Sequence, residues 1–531
     1  MRLLPPSNPM NNSEVDHAGT ASPVCAARPR NYWVFLLLLY AIAFAIYGGY
    51  IANDWVFDDH QLIVASDWYE RPMQPGDLIA DLGEPLCGRK MSYWRPGQLL
   101  LYKLQYTIFG KNPAGWRFFA ILLHATVACL AMLVFSRFVK DPKLAFAAAA
   151  LYLAHPAHTE VIGSNNISIS EGLFALAGLL AMQKGRPILT ALFAVMALSI
   201  RESAVVFPFI YFLFAIFGDS ELKKRRLMAA AFSLCAVVAM MALRFFVLKH
   251  SLQSSPEPWP VFYRVGMAAY MIIKTIFLPL PANLSIYHAQ IPELPYIIAG
   301  WILIALALAT IFALYVYLRR TGEYAPLLFV LAAALGVGPY MGLFALNIPF
   351  AQHYLYIPLA FTVFGFAVFL DGKFTRGGRR ILFALILTFF AVVSFGEAKT
   401  YRHDGTAFED ATRKYPASET VFRNLAYYQF NIGDFEGAEK SYRRVLKLTR
   451  GEDKKAWNNL GDIFFKTGQL ENAEKCFRKA AQEGEINLAV LLVNTQRFDE
   501  AMPLLDKLLA DKPDDKTLQA MMQVVKKSMQ K

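Results

Sequence analysis

Two adjacent carboxylates, Asp58 and Asp59, are the residues whose type and spacing most directly suggest chemistry in this chain. They follow an apolar run from Tyr32 to Ile51 that is long enough to cross a bilayer as a helix. Neighbouring carboxylates repel each other, so we expect the pKa of at least one of them to be raised. The pair is a candidate general base or cation site beside a membrane, and an exposed acidic loop is the alternative.

A second set of candidates interrupts or borders apolar runs, where ionisable groups are costly to bury and therefore usually functional. His155, His158 and Glu160 surround Pro156, which should break a helix end and let the three side chains face a common site. The two histidines resemble part of a metal site, but no third ligand has suitable local spacing, and a polar helix terminus is the alternative. The remaining candidates are Arg201, Glu202, Arg244, His353 and Tyr354.

These residue types suit a substrate that carries phosphate. Arginine holds phosphate oxygens by paired hydrogen bonds, and a carboxylate can take a proton from an attacking hydroxyl. The topology described next brings the candidates to one side of the membrane together with Asp58 and Asp59.

The composition is that of a polytopic membrane protein. Of 531 residues, 56% are hydrophobic, and the formal net charge is +12. Basic cytoplasmic loops and contacts with anionic membrane lipid explain this excess, so no nucleic-acid partner is indicated. The 5 cysteines are scattered and indicate neither a metal site nor a disulfide framework.

Apolar runs predict about eleven membrane spans between residues 31 and 396. Basic clusters such as Lys223–Arg226 fall at alternate ends, and the positive-inside rule places them in the cytoplasm with a disordered tail, residues 1–30. Loop 52–114 and everything from residue 397 onward then face outward. Segment 249–295 is predicted to be an outer or re-entrant segment, because a crossing there would turn the later basic loops outward.

Two local features refine this topology. Residues 97–110 are apolar but short, which predicts a helix lying in the outer interface. Arg201 and Glu202 divide the run 187–217, which predicts two short spans with a hinge at the outer surface. One uninterrupted helix is the alternative, and it would invert everything downstream.

Residues 397–531 repeat at tetratricopeptide spacing, and the clearest unit places Trp457, Leu460, Gly461 and Phe464 at the motif positions. We predict a half repeat next to the membrane, three repeats and a capping helix. The units must stack, because one unit alone cannot bury its apolar face. Such arrays usually bind peptides or proteins, with a purely structural platform as the alternative.

The order of several motifs resembles that of the transmembrane and tetratricopeptide-repeat O-mannosyltransferases, which belong to the wider GT-C glycosyltransferase fold. The motifs are Asp58-Asp59, Trp94-Arg95-Pro96, Asn112-Pro113 with His124, His155 to Glu160, Ser199 to Glu202, Pro279 to Ser285, and Tyr354 to Pro358. The resemblance implies an all-α, GT-C-type membrane helical bundle followed by a tetratricopeptide α-solenoid. It also implies transfer of a sugar from a polyprenyl-phosphate carrier to a protein hydroxyl on the outer face.

Site roles follow from the same resemblance. Asp58 and Asp59 would be catalytic, with one of them serving as base. The donor and its carrier would contact Arg201, Glu202, His155, His158, Glu160, Arg244, His353 and Tyr354. Trp457, Asn458 and Asn424 would contact the acceptor protein. No cofactor is certain from the sequence, and a divalent cation, Mg²⁺ or Mn²⁺, held by Asp58 and Asp59 is an open alternative.

The chain also departs from the family pattern. Ile167 to Glu171 replaces a usual Gly-Arg-Ala-Glu, Gln352-His353 replaces Glu-Arg, and the repeat array is short. These departures favour a bacterial inner-membrane protein with periplasmic repeats and leave the sugar undefined. An endoplasmic reticulum protein with lumenal repeats is the alternative. The rival functions are an outer-face oligosaccharyltransferase or ligase acting on envelope glycans, and a non-enzymatic assembly protein.

Overall fold

The computed structural model describes residues 32–88, 93–139, 141–164, 167–217, 222–248, 260–279, 294–342, 350–371, 373 and 375–530. Within these ranges the chain is helical and contains no strand, which confirms the all-α prediction. The predicted tail, residues 1–30, lies outside the described residues, as does most of the predicted outer or re-entrant segment.

The membrane part ends at residue 396. Its α-helices are α1 (Tyr32–Tyr47), α2 (Gly83–Cys87), α3 (Pro96–Phe109), α4 (Pro113–Phe135), α5 (Pro142–Ala154), α6 (Thr159–Gly163), α7 (Ser168–Gln183), α8 (Pro187–Ile200), α9 (Phe207–Ile216), α10 (Lys223–Val247), α11 (Val261–Phe277), α12 (Leu294–Thr321), α13 (Ala325–Val337), α14 (Tyr356–Leu370) and α15 (Arg376–Gly396).

Six helical segments of the described chain are long and apolar enough to cross a membrane by themselves. They are Tyr32–Ala52, Pro113–Phe138, Lys223–Val247, Leu294–Thr321, Gln352–Leu370 and Arg376–Lys399. Five further apolar segments are shorter, at 10–17 residues. The chain is thus an integral membrane protein, whereas the number of eleven spans remains a prediction.

The helix break predicted at Arg201 is confirmed. Arg201 has an extended backbone (φ −152°, ψ 138°), which ends α8 at Ile200. A 3₁₀ turn, Glu202–Val206, then leads into α9. One uninterrupted helix through this region is therefore excluded, and the charged pair sits at the junction between two short apolar helices.

Helix α3 has the amphipathic character of a helix that lies in a membrane interface. Leu100, Leu104 and Ile108 form a stripe at four-residue spacing and are 44%, 53% and 60% exposed. The opposite side buries Leu99 and Tyr102 against the protein. An exposed apolar stripe of this kind suits insertion into the headgroup region, which supports the interfacial placement predicted for residues 97–110.

The tetratricopeptide region consists of antiparallel helix pairs, as its spacing predicted. Its helices are α16 (Asp404–Lys414), α17 (Glu419–Asn431), α18 (Phe435–Leu448), α19 (Lys454–Lys466), α20 (Leu470–Ala480), α21 (Glu485–Asn494), α22 (Phe498–Asp511) and α23 (Lys516–Met529). Small residues permit the close packing, since a side chain at Gly461 would lie 2.5 Å from the Phe477 ring. The half repeat is not separate from the membrane part, because Phe408 and Leu425 belong to the same hydrophobic core as α4 and α5.

Leu460→Ala is expected to weaken the repeat stack, because Leu460 is 1% exposed at the contact between paired helices. Truncating a buried leucine to alanine costs about 2–5 kcal/mol of unfolding free energy. Native-state hydrogen exchange of the α19 and α20 amides in the full chain measures this loss. Leu470→Ala is the matched control, since Leu470 is 41% exposed, and equal protection in both variants would contradict the packing described here.

Candidate functional site

The two adjacent carboxylates occupy different environments. Asp58 is exposed, whereas Asp59 is only 4% exposed. Arg117, completely buried in the first turns of α4, donates from Nη2 to Asp59 Oδ2 at 3.3 Å and to the Asp54 carbonyl at 3.1 Å. Burial raises the pKa of the Asp59 carboxyl to about 7, although the charge of Arg117 opposes this shift. The prediction of a raised pKa in this pair is confirmed, and its main cause is desolvation.

Aromatic packing fixes the start of the acid loop, which we define as residues 53–60. The Trp55 ring meets the Trp116 ring edge-on at 5.7 Å, and Trp116 in turn meets Tyr102 at 5.6 Å. Arg117 follows Trp116 in α4, so the same helix turn that anchors the loop also supplies the partner of Asp59.

A second cluster forms at the break between α8 and α9, and we call it the arginine cluster: Arg95, Arg201, Glu202 and Arg244. Glu202 accepts three hydrogen bonds from Arg95, at 2.7–3.1 Å, and one from Arg244 at 3.1 Å. The extended backbone at Arg201 turns Glu202 toward these two arginines. One carboxylate therefore holds two guanidinium groups in place beside a third.

Arg201 is the member of this cluster best placed to receive an anion. Its Nη1 donates to Ser168 Oγ at 2.5 Å, and its guanidinium lies 5.3 Å and 5.9 Å from the rings of Tyr354 and Tyr340. Those two rings stack at 4.1 Å. Among the described residues Arg201 makes no ion pair within 4.0 Å, and Glu171 acts on it only from farther away. A cation held by ring faces and one hydroxyl keeps donor capacity for a ligand.

Glu160 is connected to Arg201 through the side chains of His353 and Tyr354. Its carboxylate contacts His353 Nδ1 at 2.9 Å and accepts from the His353 backbone N–H at 3.3 Å. The His353 ring meets Tyr354 edge-on at 4.7 Å. Glu160, His353 and Tyr354 thus form a connected row that ends at Arg201.

His155 and His158 do not share that site with Glu160, contrary to the prediction that all three would converge. His155 Nδ1 accepts from Ala157 N–H at 3.2 Å, and its Nε2 lies 3.2 Å from the Ile276 carbonyl. His158 is completely buried among the rings of His124, Tyr152 and Tyr356, at 4.8–4.9 Å. The 3₁₀ turn that begins at Pro156 points the histidine rings inward, whereas Glu160 in α6 faces His353.

A divalent cation at the acid loop would find few protein ligands besides Asp58 and Asp59. The part of the chain that the structure describes contains no group of three or more His, Cys, Asp or Glu side chains arranged to hold one. Mg²⁺ often uses one or two carboxylates together with substrate phosphate. Such an ion at Asp58 and Asp59 would compete with Arg117 for the Asp59 carboxylate.

Helix α3 connects the arginine cluster to the acid loop, since Arg95 directly precedes it and its Tyr102 contacts the Trp116 ring. Burial raises the pKa of the Tyr102 hydroxyl, and the charges of Asp59, Asp58 and Arg95 also act on it. Both clusters are therefore within electrostatic reach of one side chain. A groove beside Tyr102 runs between α3, α4 and α7, and its walls include Phe119, Leu123, Ile169 and Ser170.

The three predicted acceptor residues have different surroundings. Asn458 Oδ1 accepts from Asn487 Nδ2 at 3.0 Å, and the same Nδ2 donates to Asp462 Oδ1 at 2.8 Å. Trp457 instead packs against the repeat core, with its indole N–H donating to the Gly451 carbonyl at 2.9 Å and Lys479 4.4 Å from its ring. Asn424 is half-buried in α17.

Sequence reasoning did not assign a role to Arg117, Arg95 or Tyr340. Arg117 carried a usable signal, because it is an ionisable residue inside an apolar helix. Arg95 lay within a motif that was recognised, but its partner Glu202 is 107 residues away. Nothing in the sequence distinguished Tyr340 from the many other aromatic residues of the membrane part.

Comparison with known proteins identifies relatives of both parts of the chain. The tetratricopeptide repeat family model matches residues 423–485. Protein O-mannosyl-transferase F38B6.6 of Caenorhabditis elegans is 24% identical over 453 residues, which are 78% of this chain and 62% of that protein. Protein O-mannosyl-transferase Tmtc1 of Drosophila melanogaster is 27% identical over 31% of this chain and 21% of its own length.

A third relative, Protein O-mannosyl-transferase Tmtc2 of Drosophila melanogaster, is 31% identical over 23% of this chain and 13% of its own length. The chain therefore spans less than two thirds of each of these curated relatives. The low-identity match to F38B6.6 nevertheless covers most of the chain. As the order of its motifs predicted, the chain is a tetratricopeptide-containing relative of the Tmtc-type protein O-mannosyl-transferases.

Proposed function

We propose that this protein is an integral-membrane glycosyltransferase that moves a hexose from a polyprenyl-phosphate carrier to a hydroxyl of a protein acceptor on the outer face of the membrane. The observation that carries the proposal is that α3 connects the arginine cluster to the acid loop, because Arg95 directly precedes this helix and its Tyr102 meets the Trp116 ring that also contacts Trp55. A proton acceptor and a phosphate-binding cation are the two groups that such a displacement needs. The names of the relatives support a protein acceptor and make mannose the first sugar to test.

The reaction is a single displacement at the anomeric carbon of the sugar. The acceptor O–H gives its proton to a carboxylate of the acid loop while its oxygen forms the new bond to the anomeric carbon. The bond from that carbon to the phosphate oxygen breaks, and its electron pair leaves with the lipid phosphate. The products are the glycosylated protein, the lipid phosphate with one additional negative charge, and a protonated carboxyl group.

Asp58 takes the proton in this scheme, because a base must first reach the group that it deprotonates. Asp58 is exposed, whereas the Asp59 carboxylate faces Arg117 inside the protein. Asp59 and Arg117 hold the loop and add to its electrostatic field.

Arg201 stabilises the departing phosphate. The phosphate gains charge as the bond breaks, and a guanidinium already held by Ser168 and the stacked tyrosines need not reorganise to meet it. Arg95 and Arg244, fixed by Glu202, add positive potential behind Arg201. The groove beside Tyr102 has apolar walls that suit the polyprenyl chain.

The repeats bind the acceptor segment in this proposal. The row of Asn458, Asp462 and Asn487 offers amide and carboxylate groups that match the backbone of an extended peptide. On the outer face, the repeats would lie in the periplasm of a bacterium or in the lumen of the endoplasmic reticulum.

The defining experiment uses the purified full chain in lipid nanodiscs with radiolabelled polyprenyl-phosphate mannose, glucose or galactose and a serine- and threonine-rich acceptor protein. The proposal predicts base-stable label on the acceptor from at least one donor. Transfer only from a diphosphate-linked oligosaccharide would instead indicate a ligase. No transfer, together with stable capture of the acceptor protein, would indicate an assembly protein.

The transfer rate is expected to rise as the pH increases through about 7, because the raised pKa of Asp59 leaves its carboxyl protonated below that value and so removes the negative charge that Asp59 adds to the field at Asp58. Arg117→Gln removes the charge that lowers this pKa, so the rise should move to higher pH by about 1–3 units. The pH dependence of kcat/KM measures the shift. Asp59→Asn is the control, since it should lack this rise altogether, and an unmoved profile in Arg117→Gln would contradict the assigned pairing.

A further inference from the structure

We propose that Asp404, the first residue of the half-repeat helix α16, is a positioning residue that holds the acid loop in its reactive conformation. The proposal rests on the transfer reaction proposed above. It adds that the repeat region supplies part of the geometry of the reaction as well as a surface for the acceptor.

The Asp404 carboxylate contacts the residues on both sides of the acidic pair Asp58-Asp59. Asp404 Oδ1 accepts from the Phe57 backbone N–H at 2.8 Å, and Asp404 Oδ2 lies 3.4 Å from His60 Nε2. Phe57 immediately precedes Asp58, and His60 immediately follows Asp59. The two contacts therefore bracket the residues that would carry out the proton transfer.

The backbone at Phe57 shows why the loop needs such a support. Phe57 has φ +58°, a left-handed conformation that is unfavourable for a bulky side chain and persists only when its surroundings hold it. Its ring packs against Tyr401 at 6.4 Å and Phe408 at 5.7 Å. Both the backbone bond and the ring contacts come from the start of the repeat region.

Residues 50–54, just before Phe57, make further hydrogen bonds to residues 394–402, the segment that leads into α16. Asp54 N–H donates to the Arg402 carbonyl at 2.9 Å, and Asn53 Nδ2 donates to the Ala398 carbonyl at 2.9 Å. Tyr50 OH donates to the Ser394 carbonyl at 3.1 Å. Helix α16 then packs on α17, so this seam is continuous with the first full repeat.

The Asp404 carboxylate can lie beside the acid loop because two hydrogen-bond donors of that loop compensate its charge. The charges of Asp404, Asp59 and Asp54 all act on His60, so Asp404 adds negative charge to a loop that is already acidic. Such a group is unfavourable there unless donors compensate it. The Phe57 N–H and the His60 ring are those donors, and they belong to the loop itself.

Asp404→Ala is expected to lower kcat by about 10- to 100-fold, the loss typical of a small misplacement of reacting groups, while the donor KM changes by less than about threefold. Asp404→Asn keeps an oxygen that can accept from Phe57 N–H and should retain kcat within about threefold of the wild type. Asp434→Ala is the matched control, because Asp434 caps α18 by accepting from Gly437 N–H and makes no bond to the acid loop.

Hydrogen exchange provides the readout that does not depend on activity. The amides of residues 57–60 should exchange faster in Asp404→Ala than in the wild type, Asp404→Asn or Asp434→Ala. An unchanged kcat in Asp404→Ala, or an equal kcat loss in the Ala and Asn variants without faster exchange, would overturn the positioning role. Normal transfer by a variant lacking both Asp58 and Asp59 would instead overturn the proposed reaction and leave the exchange result standing.

Discussion

Replacing Asp58 and Asp59 together by asparagine is expected to abolish sugar transfer. Removal of a general base typically lowers a rate by about 10²–10⁴-fold, and the double variant also removes the negative charge that faces Arg117. Asparagine is nearly isosteric and can still accept hydrogen bonds, so the loop should remain in place. Initial rates of label transfer by the full chain in nanodiscs measure the effect.

The single variants separate the two carboxylates. Asp58→Asn should lower kcat across the whole pH range, because Asp58 is the exposed residue that takes the proton. Asp59→Asn should remove the pH dependence near 7. Asp67→Asn serves as a control from outside the acid loop but within the predicted outer loop 52–114, since Asp67 is also exposed. Near-normal transfer by the double variant would rule out the acid loop as the catalytic centre.

Arg201→Met is expected to reduce kcat by about 10²–10³-fold, the loss seen when one preorganised donor to a developing charge is removed. Methionine keeps the apolar stem against Tyr354 and Tyr340 but loses the donors and the charge. Arg201→Lys should recover only part of the rate, because lysine lacks the planar fork that holds two phosphate oxygens.

The control for this experiment is Arg225→Met, which removes an exposed arginine from a basic cluster predicted to be cytoplasmic. Initial rates at saturating donor, with the donor KM measured in parallel, separate loss of kcat from loss of binding. If Arg201→Met lowered kcat as little as Arg225→Met does, Arg201 would not be the residue that stabilises the departing phosphate.

Local patterns in the sequence were sufficient to predict several features of this site. Adjacent carboxylates after an apolar run indicated a perturbed pKa at Asp58 or Asp59. A charged pair inside an apolar stretch indicated the helix break at Arg201, since ionisable residues inside membrane spans are rare and costly. The repeat motif around Trp457 and Gly461 indicated paired helices, because the spacing of small and large residues is dictated by their packing.

Contacts between distant segments were not predictable from one sequence. Arg117 meets Asp59 across 58 residues, and Asp404 meets Phe57 across 347 residues. The stack of Tyr340 on Tyr354 was not predictable, because the motif singled out Tyr354 but nothing in the sequence marks Tyr340 as its partner. The histidines were misjudged for a local reason, since a break at Pro156 was predictable but the directions of the side chains in the 3₁₀ turn that follows His155 were not.

Structure determination of the full chain with a polyprenyl-phosphonate sugar, whose carbon–phosphorus bond cannot be displaced, tests the account most directly. We expect the phosphonate within hydrogen-bond distance of Arg201, the lipid chain in the groove beside Tyr102, and the anomeric carbon facing Asp58. A phosphonate bound at the basic cluster Lys223–Arg226, or at any site out of reach of both Arg201 and Asp58, would contradict the proposed reaction.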